Sequence, residues 1–286
     1  MSPPAHRQDF SLPRRIERAY RSAIHRIVGR VLAPKLPTQT FEEWLTTIAQ
    51  RSQQADIREA SELLAHQMVT AADSSNQKTW RTAAAKWGRG RQLYKLLNQE
   101  LTGTPLGARV STLIRENANY ISSLPLEAAQ TLVNEVTKAQ QSGARASTIA
   151  KMTRTRFPVL LRSRVNLIAR TEVAKASTAL TQARSEQVGA DWYEWITSGD
   201  VRVRTSHKKM NGILVNWSHP PSPEALVGED SSLGDYHAGA CPNCRCTSAP
   251  LLDVDDVSWP HKVYSNGAVK SMTRAEFERQ FIRKAA

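Results

Sequence analysis

Three cysteines stand within six residues of a 286-residue chain, in the run Cys241-Pro242-Asn243-Cys244-Arg245-Cys246. Cys-x-x-Cys is a recurring zinc-binding element, and thiolates joined by one imidazole make a closed tetrahedral site of the structural kind. Upstream, His207 and His237 each offer a fourth ligand, His207 being the first choice. One such element is only half of the usual pair. The alternative is that Cys244 and Cys246 are small buried residues packing a sheet, with Cys241 incidental. Spacing this close excludes a framework that staples distant segments, and an odd thiol remains after any pairing, which fits a reducing compartment.

A second feature with chemistry in it is Glu172. On a helix it shares a stripe with Ile168, Ala176 and Leu180, so a carboxylate is set among apolar neighbours and needs a partner. Arg202 and Arg204 are the nearest candidates, giving a structural ion pair rather than a catalytic carboxylate. A third grouping, His207, Asn211 and Asp200 with the cysteines, has the residue types of a metal-dependent nuclease. It lacks the paired acidic ligands that a hard-metal phosphodiesterase site requires.

The elements that must position these residues are legible around them. Gly189 follows the last periodic residue, Val188, and can end a helix in the left-handed conformation. Trp192 to Thr197 reads as a strand, Ser198-Gly199-Asp200 as a turn, and His207 to Asn211 as a short helix capped by Thr205 or Ser206 and ended by Gly212. Ile213 to Trp217 reads as a second strand, and Cys244 to Thr247 continue the sheet, with Cys244 and Cys246 on one face. Between them, Ser218 to Pro223 is a rigid loop and Glu224 to Asp235 an exposed acidic segment.

The phrases Ala169-Arg170-Thr171-Glu172, Trp195/Asp200/Arg202, Ser206-His207 with Asn211-Gly212, and Asn243-Cys244-Arg245-Cys246 resemble, in order and spacing, the domain of phage Mu F-like, or SPP1 gp7-type, minor head (head morphogenesis) proteins. The resemblance covers about residues 140 to 252. It implies a minor head protein that binds the portal or the inner capsid wall during assembly and accompanies the DNA. Many members carry Cys-x-x-Cys where this chain has Arg204-Thr205-Ser206-His207, and a His at Cys241, which argues against a four-cysteine metal site here.

Upstream of this stretch the chain reads as helical. Arg14 to Leu32 is amphipathic, and Thr40-Phe41-Glu42-Glu43 has the form of a capping box. Further helices are expected over 56–70, 78–101, 108–121 and 126–141, divided by Asp73-Ser74-Ser75-Asn76, Thr102-Gly103-Thr104-Pro105 and Ser122-Ser123-Leu124-Pro125. A short helix around 148–152 precedes a long one opened by Pro158. Downstream, Asp253, Asp255 and Asp256 mark a polar exit, and Thr273-Arg274-Ala275-Glu276 starts a last helix whose Phe277 and Phe281 need a surface to dock on.

Charge is concentrated in the middle. Residues 75–170 carry 16 Lys and Arg against 4 Asp and Glu, within a chain of net charge +13. Such an excess suits a polyanion bound without sequence preference, with Arg81, Lys86, Arg89, Arg91 and Lys95 as candidate DNA contacts. Trp80, Trp87 and Tyr94, seven apart, read more simply as an apolar helix stripe than as stacking platforms. The first residues lack the apolar core of a signal peptide and no run is long enough for a membrane span, so no membrane partner is expected.

The expected fold is α+β: a mainly helical N-terminal region over 1–140, a minor head domain over 141–252 with a long helix and a small antiparallel sheet, and a tail over 253–286 with a short helix. The expected role is a virion protein acting in the host cytoplasm during assembly and then inside the head near the portal. Its partners would be the portal protein, the major capsid protein and packaged DNA, and its cofactor, if it has one, a structural zinc. The alternatives are a nuclease-like enzyme and a DNA-binding protein acting outside any particle.

Overall fold

Long amphipathic helices dominate the chain because apolar residues recur at three- and four-residue spacing over most of its first two thirds. The structure is a computed structural model describing residues 10–11, 13–32, 34–86 and 105–282. Helices run over Arg14–Val31 (α1), Phe41–Ser52 (α2), Ala55–Lys86 (α3), Pro105–Gln141 (α4) and Ala146–Val188 (α5). Then come Trp192–Ile196 (β1), Thr205–Met210 (α6), Ile213–Asn216 (β2), Thr247–Pro250 (β3), His261–Ser265 (β4), Ala268–Met272 (β5) and Arg274–Phe281 (α7). This is an α+β protein, as its sequence leads one to expect.

The chain divides into two compact units. One, of residues 13–71 and 110–173, is built of helices alone. Its buried face includes Ile24 and Val28 of α1, Trp44 and Ile48 of α2, and Ile121, Leu124 and Leu132 of α4. The capping box at Thr40 forms, with Thr40 Oγ1 accepting from the Glu43 N–H and Glu43 accepting from the Thr40 N–H. The Tyr20 hydroxyl donates to Asn117 Oδ1 at 2.9 Å inside this packing.

Three expected breaks are continuous helix. Ser122-Ser123-Leu124-Pro125 lies within α4 and Pro158 within α5. Around Pro125, Leu124, Ala128 and Ala129 are buried, so packing overrides the local cost of the proline. Asp73-Ser74-Ser75-Asn76 lies within α3, where the side chains of Asp73 and Asn76 meet a buried partner. Arg184, 2% exposed, donates to Asn76 Oδ1 and Asp73 Oδ1, each at 2.6 Å, and Asn76 donates to Thr181 Oγ1 at 2.8 Å.

The second unit, of residues up to 12, 72–109 and 174–286, holds that network and the sheet. Trp80 is fully buried, edge-on to Phe10 at 5.2 Å, in keeping with an apolar stripe. Of the other two in that series, Trp87 and Tyr94 lie outside the described residues.

The sheet order is β3-β1-β2-β4-β5. It is mixed, which corrects the expectation of an antiparallel sheet: β2 and β4 pair in parallel, through Leu214 and Val263, while the other pairs are antiparallel. The parallel partner, β4, belongs to the tail, where the sequence leads one to expect only a short helix, and forms a hairpin with β5. Asn266 and Gly267, at φ 51° and 77°, make its two-residue turn. Alternation along β1 separates two cores. Tyr193 and Trp195 face the cysteines, and Trp192 faces Leu214, Val263 and Phe277. Docking of α7 is thereby settled: Phe277 and Phe281 lie 5.1 and 4.7 Å from Trp192, within the same unit.

Candidate metal centre

The cysteine loop is set by two backbone turns. Asn243 takes a left-handed conformation, φ 59°, and the Cys244 N–H donates to the Cys241 carbonyl at 3.2 Å, so the two sulfurs of the Cys-x-x-Cys are turned to one side. The Cys246 N–H donates to Cys244 Sγ at 3.4 Å. Cys244 and Cys246 precede β3 rather than lying in it, which corrects the expectation that they extend the sheet. All three thiols are free and buried.

His207 reaches the same place from α6. Its N-cap is Arg204, with no side-chain cap, and Ser206 donates instead to Glu224 Oε1 at 3.0 Å. The imidazole is 2% exposed. Its Nδ1 lies 3.5 Å from Cys244 Sγ and 3.4 Å from Cys246 Sγ, while Nε2 lies 3.8 Å from Cys241 Sγ. Ligand atoms of His207, Cys241 and Cys244 all fall within 4.8 Å of one another. His237 is engaged elsewhere, its Nδ1 3.1 Å from the Tyr193 hydroxyl and its ring against Trp217.

Behind the imidazole stands a relay absent from the sequence reading. His207 Nε2 is 2.9 Å from the Tyr236 hydroxyl, which in turn donates to Glu224 at 2.7 and 2.8 Å. Glu224 is buried, which corrects its reading as the start of an exposed acidic segment. Its carboxylate is tolerated there because Tyr236 and Ser206 both donate to it. Burial alone would raise the Glu224 pKa, but these hydrogen bonds and the nearby imidazole outweigh it and hold the carboxyl below its usual range. Burial and the bond to Glu224 push the Tyr236 phenol up. For His207, burial pulls the pKa down, yet the hydrogen bonds and negative charge of Cys241 and Cys244 prevail and hold it at about 9.

Arg204 donates to Cys241 Sγ at 2.8 Å and to the Pro242 carbonyl at 3.0 Å. Arg202 is exposed, and its backbone N–H goes to Asp200. Arg202 and Arg204 are the residues the sequence offers as partners of Glu172. Glu172 is 3% exposed in the helical unit, where, after burial itself, its charge helps to raise the Tyr20 pKa. The apolar stripe put Glu172 inside, as expected.

The grouping considered for nuclease chemistry is dispersed in its bonding. Asp200 pairs with Arg245 at 2.7 Å, and Asn211 Oδ1 accepts from the N–H and hydroxyl of Thr197. Gly239, at φ 87°, is a further residue the sequence did not single out. A Cβ there would stand 2.6 Å from Thr178 Oγ1 and 3.0 Å from the Cys246 carbonyl, where Thr178 of α5 donates to the Ala238 carbonyl at 2.6 Å. Only glycine lets α5 approach the loop that closely. Of the candidate DNA contacts, Arg81 is exposed on α3 and Lys86 ends it, while Arg89, Arg91 and Lys95 lie outside the described residues.

Residues 130–249 match the model of the Phage Mu protein F like protein family, so the resemblance read from the sequence holds over that stretch, which includes His207 and all three cysteines. A curated protein of Haemophilus influenzae (strain ATCC 51907 / DSM 11121 / KW20 / Rd), named "Uncharacterized protein", is 26% identical over 238 residues, covering 83% of this chain and 49% of its own length. The chain thus spans about half the length of the curated relative it matches. No solved structure matches it. Among the described residues no helix is long and apolar enough to cross a membrane.

Proposed function

We propose that the chain is a minor component of a bacteriophage head, bound to the portal or the inner head surface, where it contributes to head morphogenesis and to packaging or ejection of DNA. The observation that carries this reading is the match of residues 130–249 to the phage Mu F-like family. The helical unit is the partner-binding part: it leaves long faces exposed while its own core is filled. Assembly in the host cytoplasm precedes a place inside the virion. The role is architectural rather than catalytic, and in support of this His207 and the three cysteines are buried, with their polar atoms bonded to one another and to Arg204 and Tyr236.

Packaged DNA is a second, sequence-independent contact. Its support is the charge of residues 75–170 together with the exposure of Lys78, Arg81, Arg115, Lys151, Arg154 and Arg162. The test is isolation of the tagged chain from cells co-expressing the cognate portal and major capsid proteins, with nuclease present throughout. Recovery of a stoichiometric portal or capsid complex is the expected result. Recovery of the chain alone, with DNA retained when nuclease is omitted, overturns the head reading in favour of a DNA-binding protein outside any particle.

A further inference from the structure

We propose that His207, Cys241, Cys244 and Cys246 bind one zinc ion, and that this ion is structural. The inference is independent of the head role.

Spacing carries it first. Tetrahedral zinc, with Zn–S about 2.3 Å and Zn–N about 2.0 Å, sets its ligand atoms roughly 3.5–3.8 Å apart. His207 Nδ1 stands 3.5 Å from Cys244 Sγ and 3.4 Å from Cys246 Sγ, so two thiols already converge on one imidazole nitrogen at the separation zinc imposes. Cys241 Sγ stands 3.8 Å from Nε2 of the same ring, and one ligand atom each of His207, Cys241 and Cys244 falls within 4.8 Å of the others, so a shift of the Cys241 sulfur toward Nδ1 completes the set.

The surroundings carry it second. A zinc-bound imidazole needs its other nitrogen to hold a proton on a fixed acceptor. With Nδ1 on the metal, the Nε2–H donates to the Tyr236 oxygen 2.9 Å away, and the Tyr236 hydroxyl passes its own hydrogen to Glu224. Each donor in that chain then has one acceptor. Three thiolates and a neutral imidazole around a divalent ion leave one negative charge. The Arg204 guanidinium, donating to Cys241 Sγ at 2.8 Å, is placed to balance it. Packing thiols alone needs neither a guanidinium on sulfur nor a tyrosine–carboxylate relay behind a histidine.

The ligand types select zinc over harder cations: soft sulfur with one nitrogen and no oxygen ligand excludes magnesium and calcium chemistry. Every ligand is buried and Trp195 closes the site at 5.5 Å from the His207 ring, so no position is left open for a substrate. Binding releases the protons held by the thiols and the imidazole, and no other group changes oxidation state or bonding.

The test uses the full chain, purified under reducing conditions from zinc-supplemented cells. Elemental analysis is expected to give about one zinc per chain. After the zinc is removed with a chelator and replaced with cobalt(II), visible absorption of a tetrahedral site and near-ultraviolet thiolate-to-cobalt absorption are expected. The latter should fall by about a third in Cys246→Ser, as one of three thiolates is lost. Tyr236→Phe, which keeps all four ligands but removes the acceptor for Nε2–H, is expected to weaken cobalt binding about 10-fold or more. A chain that is folded by circular dichroism yet holds no zinc and shows no thiolate-to-cobalt absorption overturns the proposal. So does thiolate absorption that is unchanged in Cys246→Ser. Neither arm of the wild-type measurement depends on a variant folding.

Discussion

The helical unit and the cysteine-bearing sheet solve opposite problems. In the helical unit, long faces share the load: Ile24, Trp44, Ile48, Ile121, Leu124 and Leu132 are all essentially inaccessible to solvent, drawn from three helices. No single contact there decides whether the unit forms. The sheet has five strands of only four or five residues each. Its loops are fixed at points instead: Thr178 on Ala238, Arg245 on Asp200, Tyr236 on His207, and the His207–cysteine cluster itself. Where strands are this short, side-chain locks replace extended packing, and damage should be correspondingly local and severe.

Removing one ligand tests that contrast most strongly. His207→Ala, or chelation of the wild-type chain, should remove the near-ultraviolet circular dichroism of Trp195 and Trp217 while most of the helical signal survives. The sheet's stability should fall by on the order of 5 kcal/mol or more. Equal loss in both signals would mean that the two regions do not differ in this way.

Acid provides a second test, through His237. Burial, which outweighs the hydrogen bond its ring makes near Trp217, lowers its pKa from 6.5 to about 4. The unfolded chain therefore binds this proton when the folded chain does not. Stability from this group is complete above pH 6.5 and is lost as pH falls toward 4, by up to about 3 kcal/mol. Urea unfolding at stepped pH, read by tryptophan fluorescence, should show that slope for the wild type and a flatter one for His237→Gln.

A smaller effect is expected for Gly239→Ala, about 2 kcal/mol, from a positive φ and a methyl group pressed against Thr178. Thermal unfolding measures it, and Thr178→Ala in the same chain should recover part of the loss by making room. The smallest effects sharpen the comparison further, because Thr40 and Thr273 form the same capping box in the two regions. Each Thr→Ala should cost about 1 kcal/mol. A much larger cost at Thr273 would show that α7, through Phe277 on Trp192, is another of the sheet's locks.

What was legible in the sequence follows the same division. Gly189 and Gly212, both at positive φ, end their helices where expected, and β1 and β2 lie where aromatic and β-branched residues cluster. These are local signals. The continuity of α3 was not legible, because Asp73 and Asn76 look like turn residues until Arg184, more than a hundred positions away, is brought against them. The Asn266-Gly267 dipeptide is a strong hairpin signal and was there to be read, but the parallel partner of β4 is not marked by any local pattern. In the centre, Cys241-x-x-Cys244-x-Cys246 marked three candidate ligands. The engagement of His237 with Tyr193, the recruitment of Arg204 to sulfur and the burial of Glu224 depend on tertiary contacts alone.

The central claim, that this chain is part of a phage head, is tested most directly by quantitative mass spectrometry of heads purified from the phage or prophage that encodes it, before and after DNA packaging. The account predicts the chain in both populations at a fixed ratio to the portal protein. Its absence from both, with the chain present in the lysate, would contradict it.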